Sequence, residues 1–307
     1  MRVLVYGSGA VGGYFGACFA RGGHDVVFVA RGETLAALRQ HGLTVELPGD
    51  RWHLSPLRAE SDPAAAPVAD LVLVCVKSYG TASAATALRS AVGPETIVVS
   101  LQNGVENEEI LARGMGVAPL MVAFTRIGVA MTRPGVVAYS GRGEIVFGEP
   151  DGSRSPRALR LATALAEAGI PHRLRADVLV GAWEKLAWNA GFNAVTTLTG
   201  TTVAEVVGRP GTREIVVRAM QEVDAVASAR GIPVRRQRTQ AVLDDSVSGL
   251  PDFETSMLQD LRRGRRLEHD AITGAVVRAA AAAGVPVPVN RLLFALLDAV
   301  DPGRAPA

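Results

Sequence analysis

The chain has 307 residues, 48% of them apolar, and a formal net charge of +2. That length suits one large or two ordinary domains with an ample core, and so small a charge excludes a global field selecting nucleic acid or an acidic membrane. The two cysteines lack metal-ligand spacing, no run approaches about 18 uninterrupted apolar residues, and MRVLVYGSG turns to glycine before any leader-like core, so we expect a reduced, cytoplasmic protein with inert thiols, no metal and no membrane partner.

In chain order, short β-branched runs first alternate with helical stretches. RVLVYG (2–7), DVVFVAR (25–31), LVLVCVK (71–77) and TIVVSLQNG (96–104) read as strands, with helices at VGGYFGACFARGG (11–23) and TASAATALRSAVG (81–93). Such alternation predicts a parallel sheet with helices on both faces. Residues 121–149 read as further strands, some paired antiparallel, followed by a helix from about Arg154 to Ala168 and a last strand near IPHRLR (170–175). From Asp177 onward strand signals vanish, and helical patterns follow at 178–198, 211–230, 255–263 and 267–283, with a final helix through RLLFALLDAV (291–300). We place the domain boundary near residue 176, between an α/β domain over 1–176 and an all-α domain over 177–307. The basic run RRGRR (262–266), with Asp260, Glu268 and Asp270 nearby, reads as a solvated helix face.

GSGAVG (7–12) is a G-x-G-x-x-G that follows a strand and opens a helix, the context in which this spacing binds a dinucleotide. Gly7 allows the tight turn, Gly9 lets the backbone approach a pyrophosphate, and Gly12 permits close helix packing, while Ser8, Ala10 and Val11 supply backbone at the helix N-terminus. At the end of the second strand, where an NAD enzyme carries an acid for the ribose 2′-hydroxyl, this chain has Arg31; a guanidinium suits a 2′-phosphate and selects NADP. Glu33, two residues on, is the poorer candidate. Lys77 ends the strand LVLVCVK at the carboxyl edge where ligands of such sheets collect, and we expect it to help hold the same phosphate.

Of the 32 basic residues only Lys77 and Lys185 are lysines; every other is arginine. Arginine keeps the charge but cannot release a proton in an accessible range, so these two positions invite chemistry that needs an amine. In WEKLAWNAGFNAV (183–195), Lys185, Asn189 and Asn193 fall four apart, drift by about 40° per step on an α-helix, and form one polar stripe beside Trp188 and Phe192. A lysine snorkelling from the rim of a buried helix is the plainer account of Lys185.

Taken together, GSGAVGGYFG, VAR, CVKSYG, LQNGVEN, WEKLAWNAGFNAVTTLTG and SMLQDLRRGRRLEHDAITG resemble the ketopantoate reductase (2-dehydropantoate 2-reductase) family over nearly the whole chain, from residue 3 to about residue 294. The resemblance implies an α/β N-terminal Rossmann domain with a mostly parallel sheet, and an all-α C-terminal domain like that of 6-phosphogluconate dehydrogenase. It also implies NADPH/NADP+ as cofactor and a small-molecule 2-oxo acid as partner. Carried over by position, Lys185 is the general acid and Asn103 orients near the nicotinamide and the lysine. Ser256 binds the substrate carboxylate, and Asn189 and Asn193 line the substrate side of the helix. Glu268 accepts a hydrogen bond from the substrate hydroxyl, and Asn103 and Glu268 also fall at the cofactor.

Each assignment has a structural rival. Ser256 with Gln259 reads as a capping box, Glu268 pairs as well with Arg265 or Arg266 on its own helix, and Asn103 before Gly104 is a turn signature. Two positions depart from the family pattern, which carries amides shortly after Lys77 and about ten residues after Asn193; here stand Gly80 and Val203. The expected function is NADPH-dependent reduction of ketopantoate to pantoate, toward pantothenate and coenzyme A. The alternatives are a paralogue acting on another 2-oxo acid or ketone, and a non-catalytic NADP(H) sensor. A homodimer is one oligomeric state left open.

Overall fold

The structure is a computed structural model and describes residues 1–234, 242, 243, 246 and 253–303. The chain divides into two compact units, one of Met1–Gln102 with Asn107–Val178 and one of Asn103–Glu106 with Leu179–Ala307. The first runs β1 (Arg2–Tyr6), α1 (Ala10–Arg21), β2 (Asp25–Val29), α2 (Gly32–His41), β3 (Leu43–Leu47), β4 (Asp50–Leu54), β5 (Arg58–Glu60), β6 (Leu71–Val74), α3 (Thr81–Ala87), β7 (Ile97–Ser100), α4 (Asn107–Met115), β8 (Val122–Arg133), β9 (Val136–Gly148), α5 (Pro156–Glu167) and β10 (His172–Leu174).

Five of these strands form a wholly parallel sheet in the order β5-β2-β1-β6-β7, with Leu4 of β1 beside Val27 of β2 and Val72 of β6. On β1, Val3 and Val5 enter one apolar cluster and Leu4 and Tyr6 enter another. Likewise β6 sends Leu71 and Leu73 to the first and Val72 and Val74 to the second. A strand buried on both faces needs apolar residues at both parities, and that is why these strands read as unbroken runs.

The second sheet has the order β10-β9-β3-β4, with β8 paired to β9. The long antiparallel ladder of β8 and β9 shifts register near Arg142, which sits at φ 62 between Gly141 and Gly143. The β3–β4 hairpin was not among the expected elements. Its signal is Pro48-Gly49, where Gly49 has φ 77, between two alternating segments.

Among its described residues the second unit is helical. It runs through α6 (Val178–Trp188), a π-helical turn (Asn189–Asn193), α7 (Ala194–Thr199), α8 (Val203–Gly208), α9 (Pro210–Ala229) and α10 (Ser256–Arg262). A second π-helical turn (Asp270–Gly274), α11 (Ala275–Ala283) and α12 (Pro288–Val300) follow. Two expectations change here. The run at 262–266 is exposed but is not a helix face, because α10 ends at Arg262 and Gly264, with φ 63, turns the chain. The cap of α10 is Thr255, whose hydroxyl accepts from Leu258 N at 3.4 Å; Ser256 is the first helical residue, so the Ser256–Gln259 capping box is not formed. No helix of the described residues is long and apolar enough to cross a membrane, and no group of His, Cys, Asp or Glu among them could hold a metal ion. Burial pushes the Cys18 thiol up to about 11 and the Cys75 thiol up to about 12, so neither is a thiolate at neutral pH.

The stretch between β9 and α5 is held by a partly buried ion pair. Glu149, only 5% exposed, accepts from Arg157 Nε at 2.7 Å and Nη2 at 2.6 Å and from the hydroxyl of Ser155, which also caps α5. The hydrogen bond from Arg157 is the main reason that the Glu149 carboxyl lies below its ordinary value of 4.5. A carboxyl depressed in the folded state contributes stability above its unfolded value and loses it as pH falls through the folded value. Glu149→Gln should therefore lower stability at neutral pH by about 1–3 kcal/mol. In thermal melts the gap from wild type should narrow below pH 4.5. A gap that does not depend on pH would remove the charge from this account.

Candidate active site

The first unit carries the glycine loop. Gly7 turns at φ 99, and a Cβ there would lie 2.6 Å from Val76 N; a Cβ on Gly12 would lie 2.3 Å from Gly7 O. Both glycines are therefore required by the protein's own packing. Gly9 is different: nothing lies within 4 Å of its Cβ position. No contact of the fold demands a glycine there, yet its bare backbone opens space at the start of α1, whose first turn contains no acid. Open backbone N–H groups at a helix N-terminus without an opposing carboxylate fit a pyrophosphate. Ser8 is buried, its hydroxyl donates to Val29 O at 3.1 Å, and the amides of Gly7 and Ser8 reach the same oxygen, so the loop is tied to the end of β2.

The same edge of the sheet carries the two candidate phosphate ligands. Because β2, β1 and β6 are parallel neighbours, Arg31 after β2, the loop after β1 and Lys77 after β6 all leave the sheet at its carboxyl side. Arg31 is exposed and occupies the N-cap position of α2 without a side-chain cap bond, and Glu33 lies in the first turn of that helix rather than at the strand end. Lys77 is half-buried and precedes the short turn Ser78–Gly80. At Gly80 a Cβ would meet only Val76, at 3.6 Å, so the fold does not require glycine there.

The second unit joins three of the expected residues by hydrogen bonds. Lys185 Nζ donates to Asn103 Oδ1 at 3.1 Å, and Asn103 Nδ2 donates to Glu268 Oε2 at 3.5 Å. Lys185 is half-buried on α6, Glu268 is buried, and Asn103 arrives on the segment Asn103–Glu106. Glu268 precedes the second π-turn instead of lying within a helix. Asn189 and Asn193 begin and end the first π-turn and are buried at 6% and 2% exposure. A π-turn rotates less per residue than an α-turn, so the drift of about 40° expected on an α-helix does not apply between Asn189 and Asn193. Beside the stripe, Trp188 packs against Phe192 at 4.9 Å and donates from its indole to Ser246 at 3.0 Å.

Ser256 is exposed at the start of α10 and is not bonded into that hydrogen-bonded chain. Val203 is fully buried in the second unit's core and its amide donates to Phe253 O, so it serves packing. Reading the sequence missed Arg278, which donates to Glu106 at 2.6 Å and to Asp270 at 2.7 Å. The i, i+8 spacing of Asp270 and Arg278 is not a standard helical pair, and only the intervening π-turn brings them together.

Comparison with known proteins agrees over the whole chain. Residues 3–152 match the family described as "Ketopantoate reductase PanE/ApbA" and residues 177–301 match "Ketopantoate reductase PanE/ApbA C terminal". The 2-dehydropantoate 2-reductase of Halobacterium salinarum is 36% identical over 302 residues, covering 97% of this chain and 98% of the relative. A crystal structure of a PanE/ApbA family ketopantoate reductase from Ralstonia eutropha superposes with a TM-score of 0.90 at 35% identity, covering 98% of each chain. One of 2-dehydropantoate 2-reductase from Geobacter metallireducens superposes at 0.91 with 30% identity, covering 97% of this chain and 99% of the other. A parallel α/β unit with a dinucleotide-type loop, a helical unit holding an amine against an amide and a carboxylate, and full-length likeness to these proteins place the chain in the ketopantoate reductase family of pyridine-nucleotide-dependent oxidoreductases.

Proposed function

We propose that the protein reduces a 2-oxo acid with NADPH, that the acid is ketopantoate and the product pantoate, and that the pantoate serves pantothenate and coenzyme A synthesis. The first unit would hold the cofactor and the second the oxo acid. The observation that carries this reading is the chain Lys185–Asn103–Glu268, an amine fixed through an amide to a carboxylate in a family of reductases.

NADPH, when bound, supplies hydride to the carbonyl carbon. The oxygen then needs a proton, and Lys185 is the group to give it, because its ammonium can release one where a guanidinium cannot. Asn103 holds the amine in place by accepting at its Oδ1, and its Nδ2 steadies Glu268. Glu268 receives the substrate hydroxyl as acceptor. Asn189 and Asn193 present amides to the substrate from the π-turn, and Ser256 binds its carboxylate from the exposed first position of α10. Arg31 takes the 2′-phosphate of the cofactor, with Lys77 as its helper across β1.

Substrate identity is tested by following NADPH oxidation with ketopantoate and a panel of other 2-oxo acids, aryl ones included. Ketopantoate should give the highest kcat/KM; a different acid exceeding it by a factor of ten or so, about 1.4 kcal/mol of barrier, would replace the substrate named here. Cofactor choice is tested separately. Arg31→Ala should lower kcat/KM with NADPH by about 10–100-fold, the loss of a charge-assisted phosphate contact, and leave NADH nearly untouched. Equal effects on the two cofactors would show that Arg31 does not read the 2′-phosphate.

A further inference from the structure

Asn103–Glu106 interrupts the first unit's sequence yet belongs with the second unit. Its two stems meet one buried hydroxyl of the first unit: Gln102 Nε2 donates to Thr81 Oγ1 at 2.8 Å, and Thr81 Oγ1 lies 2.9 Å from Asn107 Oδ1. Between the stems every residue is committed. Asn103 joins Lys185 and Glu268, Gly104 turns at φ 106, and Val105 packs on the second unit's apolar core. Glu106 accepts from Arg278 Nε at 3.2 Å and Nη2 at 2.6 Å.

Arg278 grips a second element with the same fork. Its Nη1 donates to Asp270 Oδ1 at 2.7 Å and its Nη2 to the Asp270 carbonyl at 2.9 Å. Asp270 opens the π-turn and stands two residues after Glu268. A Cβ on Gly274 would lie 2.8 Å from Asp270 Oδ1 and 3.2 Å from Arg278 Nη1, so glycine leaves room for this pair. One planar cation therefore holds both the segment that carries Asn103 and the turn that follows Glu268. A lysine, a point charge without a fork, could not match both geometries at once.

We propose that Arg278, acting through Glu106 and Asp270, is a positioning residue that sets the spacing of Asn103 from Glu268 and so aims the Lys185 ammonium. This rests on the reading of Lys185 as proton donor. The rival is an ordinary surface salt bridge, since the Arg278 side chain is 47% exposed and that of Glu106 36%. Such a pair contributes little to stability and nothing to chemistry.

The test compares wild type with Glu106→Gln, Arg278→Met, Arg278→Lys and the Glu106→Gln/Arg278→Met double variant. Melting temperature, NADPH affinity, kcat and KM are measured for each. The chain has three amines, those of Lys77, Lys185 and the Met1 N-terminus, so reductive methylation with 13C-formaldehyde also yields NMR signals that can be titrated without any turnover, the α-amine being set apart by its lower pKa and the two lysines by a Lys77→Arg variant. The proposal expects kcat to fall on the order of 10- to 100-fold in each single variant, with melting temperature and NADPH affinity unchanged. The double variant should be no worse than the worse single, and Arg278→Lys should recover little. The Lys185 titration should move to lower pH as the oriented carbonyl that favours the ammonium is lost, while that of Lys77 stays. Wild-type kcat in Glu106→Gln or in Arg278→Met, or losses that multiply in the double, would overturn it. If wild type itself reduces no 2-oxo acid, the functional reading fails, and the titration alone decides: a shifted Lys185 signal supports the clamp and an unshifted one overturns it.

Discussion

The Oδ1 of Asn103, 3.1 Å from Lys185 Nζ, is the contact about which the candidate site is arranged. An ammonium has only donors and an ionised carboxylate only acceptors, so an amide between them can stand only one way round. Its oxygen must face Lys185 and its nitrogen Glu268, and the network itself assigns the orientation. Half-buried charge of this kind is costly unless it is bonded. The amide lies 3.1 Å from Lys185 and 3.5 Å from Glu268, so of its two contacts the one to the amine is the closer.

The glycine loop shows the complementary device, in which backbone is exposed by leaving atoms out. Gly7 and Gly12 answer to the fold, one through φ 99 and the other through a 2.3 Å approach to Gly7 O, whereas open space surrounds the Cβ position of Gly9. The same three-glycine pattern thus divides into two positions that the strand–helix junction requires and one that it leaves open. Parallel strand order then carries Arg31 and Lys77 to the same edge from either side of β1.

How much of this could be read from the sequence follows from which interactions are local. The parallel sheet was legible because strands buried on both faces are unbroken apolar runs, and the ladder at 121–149 because its strands are long. The β3–β4 hairpin carried a readable turn at Pro48-Gly49 and was overlooked. The capping of α10 was legible to within one residue: Thr255 and Ser256 both have the chemistry, and only burial of Thr255 against the Thr196 hydroxyl distinguishes them. The π-turns were not legible, because at 189–193 and 270–274 the spacing of apolar residues is compatible with an uninterrupted α-helix. The meeting of Asp270 with Arg278 across the second of them was hidden with it. Lys185 stood out as one of two lysines at the head of a polar stripe, and its role and those of Asn103 and Glu268 came from family likeness, but their joining into a single hydrogen-bonded chain is a tertiary fact.

The most direct test of the central claim, that an amine at position 185 gives the proton, is turnover of Lys185→Arg beside Lys185→Ala under saturating NADPH and oxo acid. Arginine preserves the charge, so KM for the anionic substrate should change little, while kcat should fall by about 10²–10⁴-fold, the usual worth of general acid catalysis. The alkaline decline of kcat/KM in wild type should also vanish from the residual activity, since guanidinium does not titrate in that range. An arginine variant that turns over within a few-fold of wild type would contradict the account, reducing Lys185 to an electrostatic anchor and requiring another proton donor.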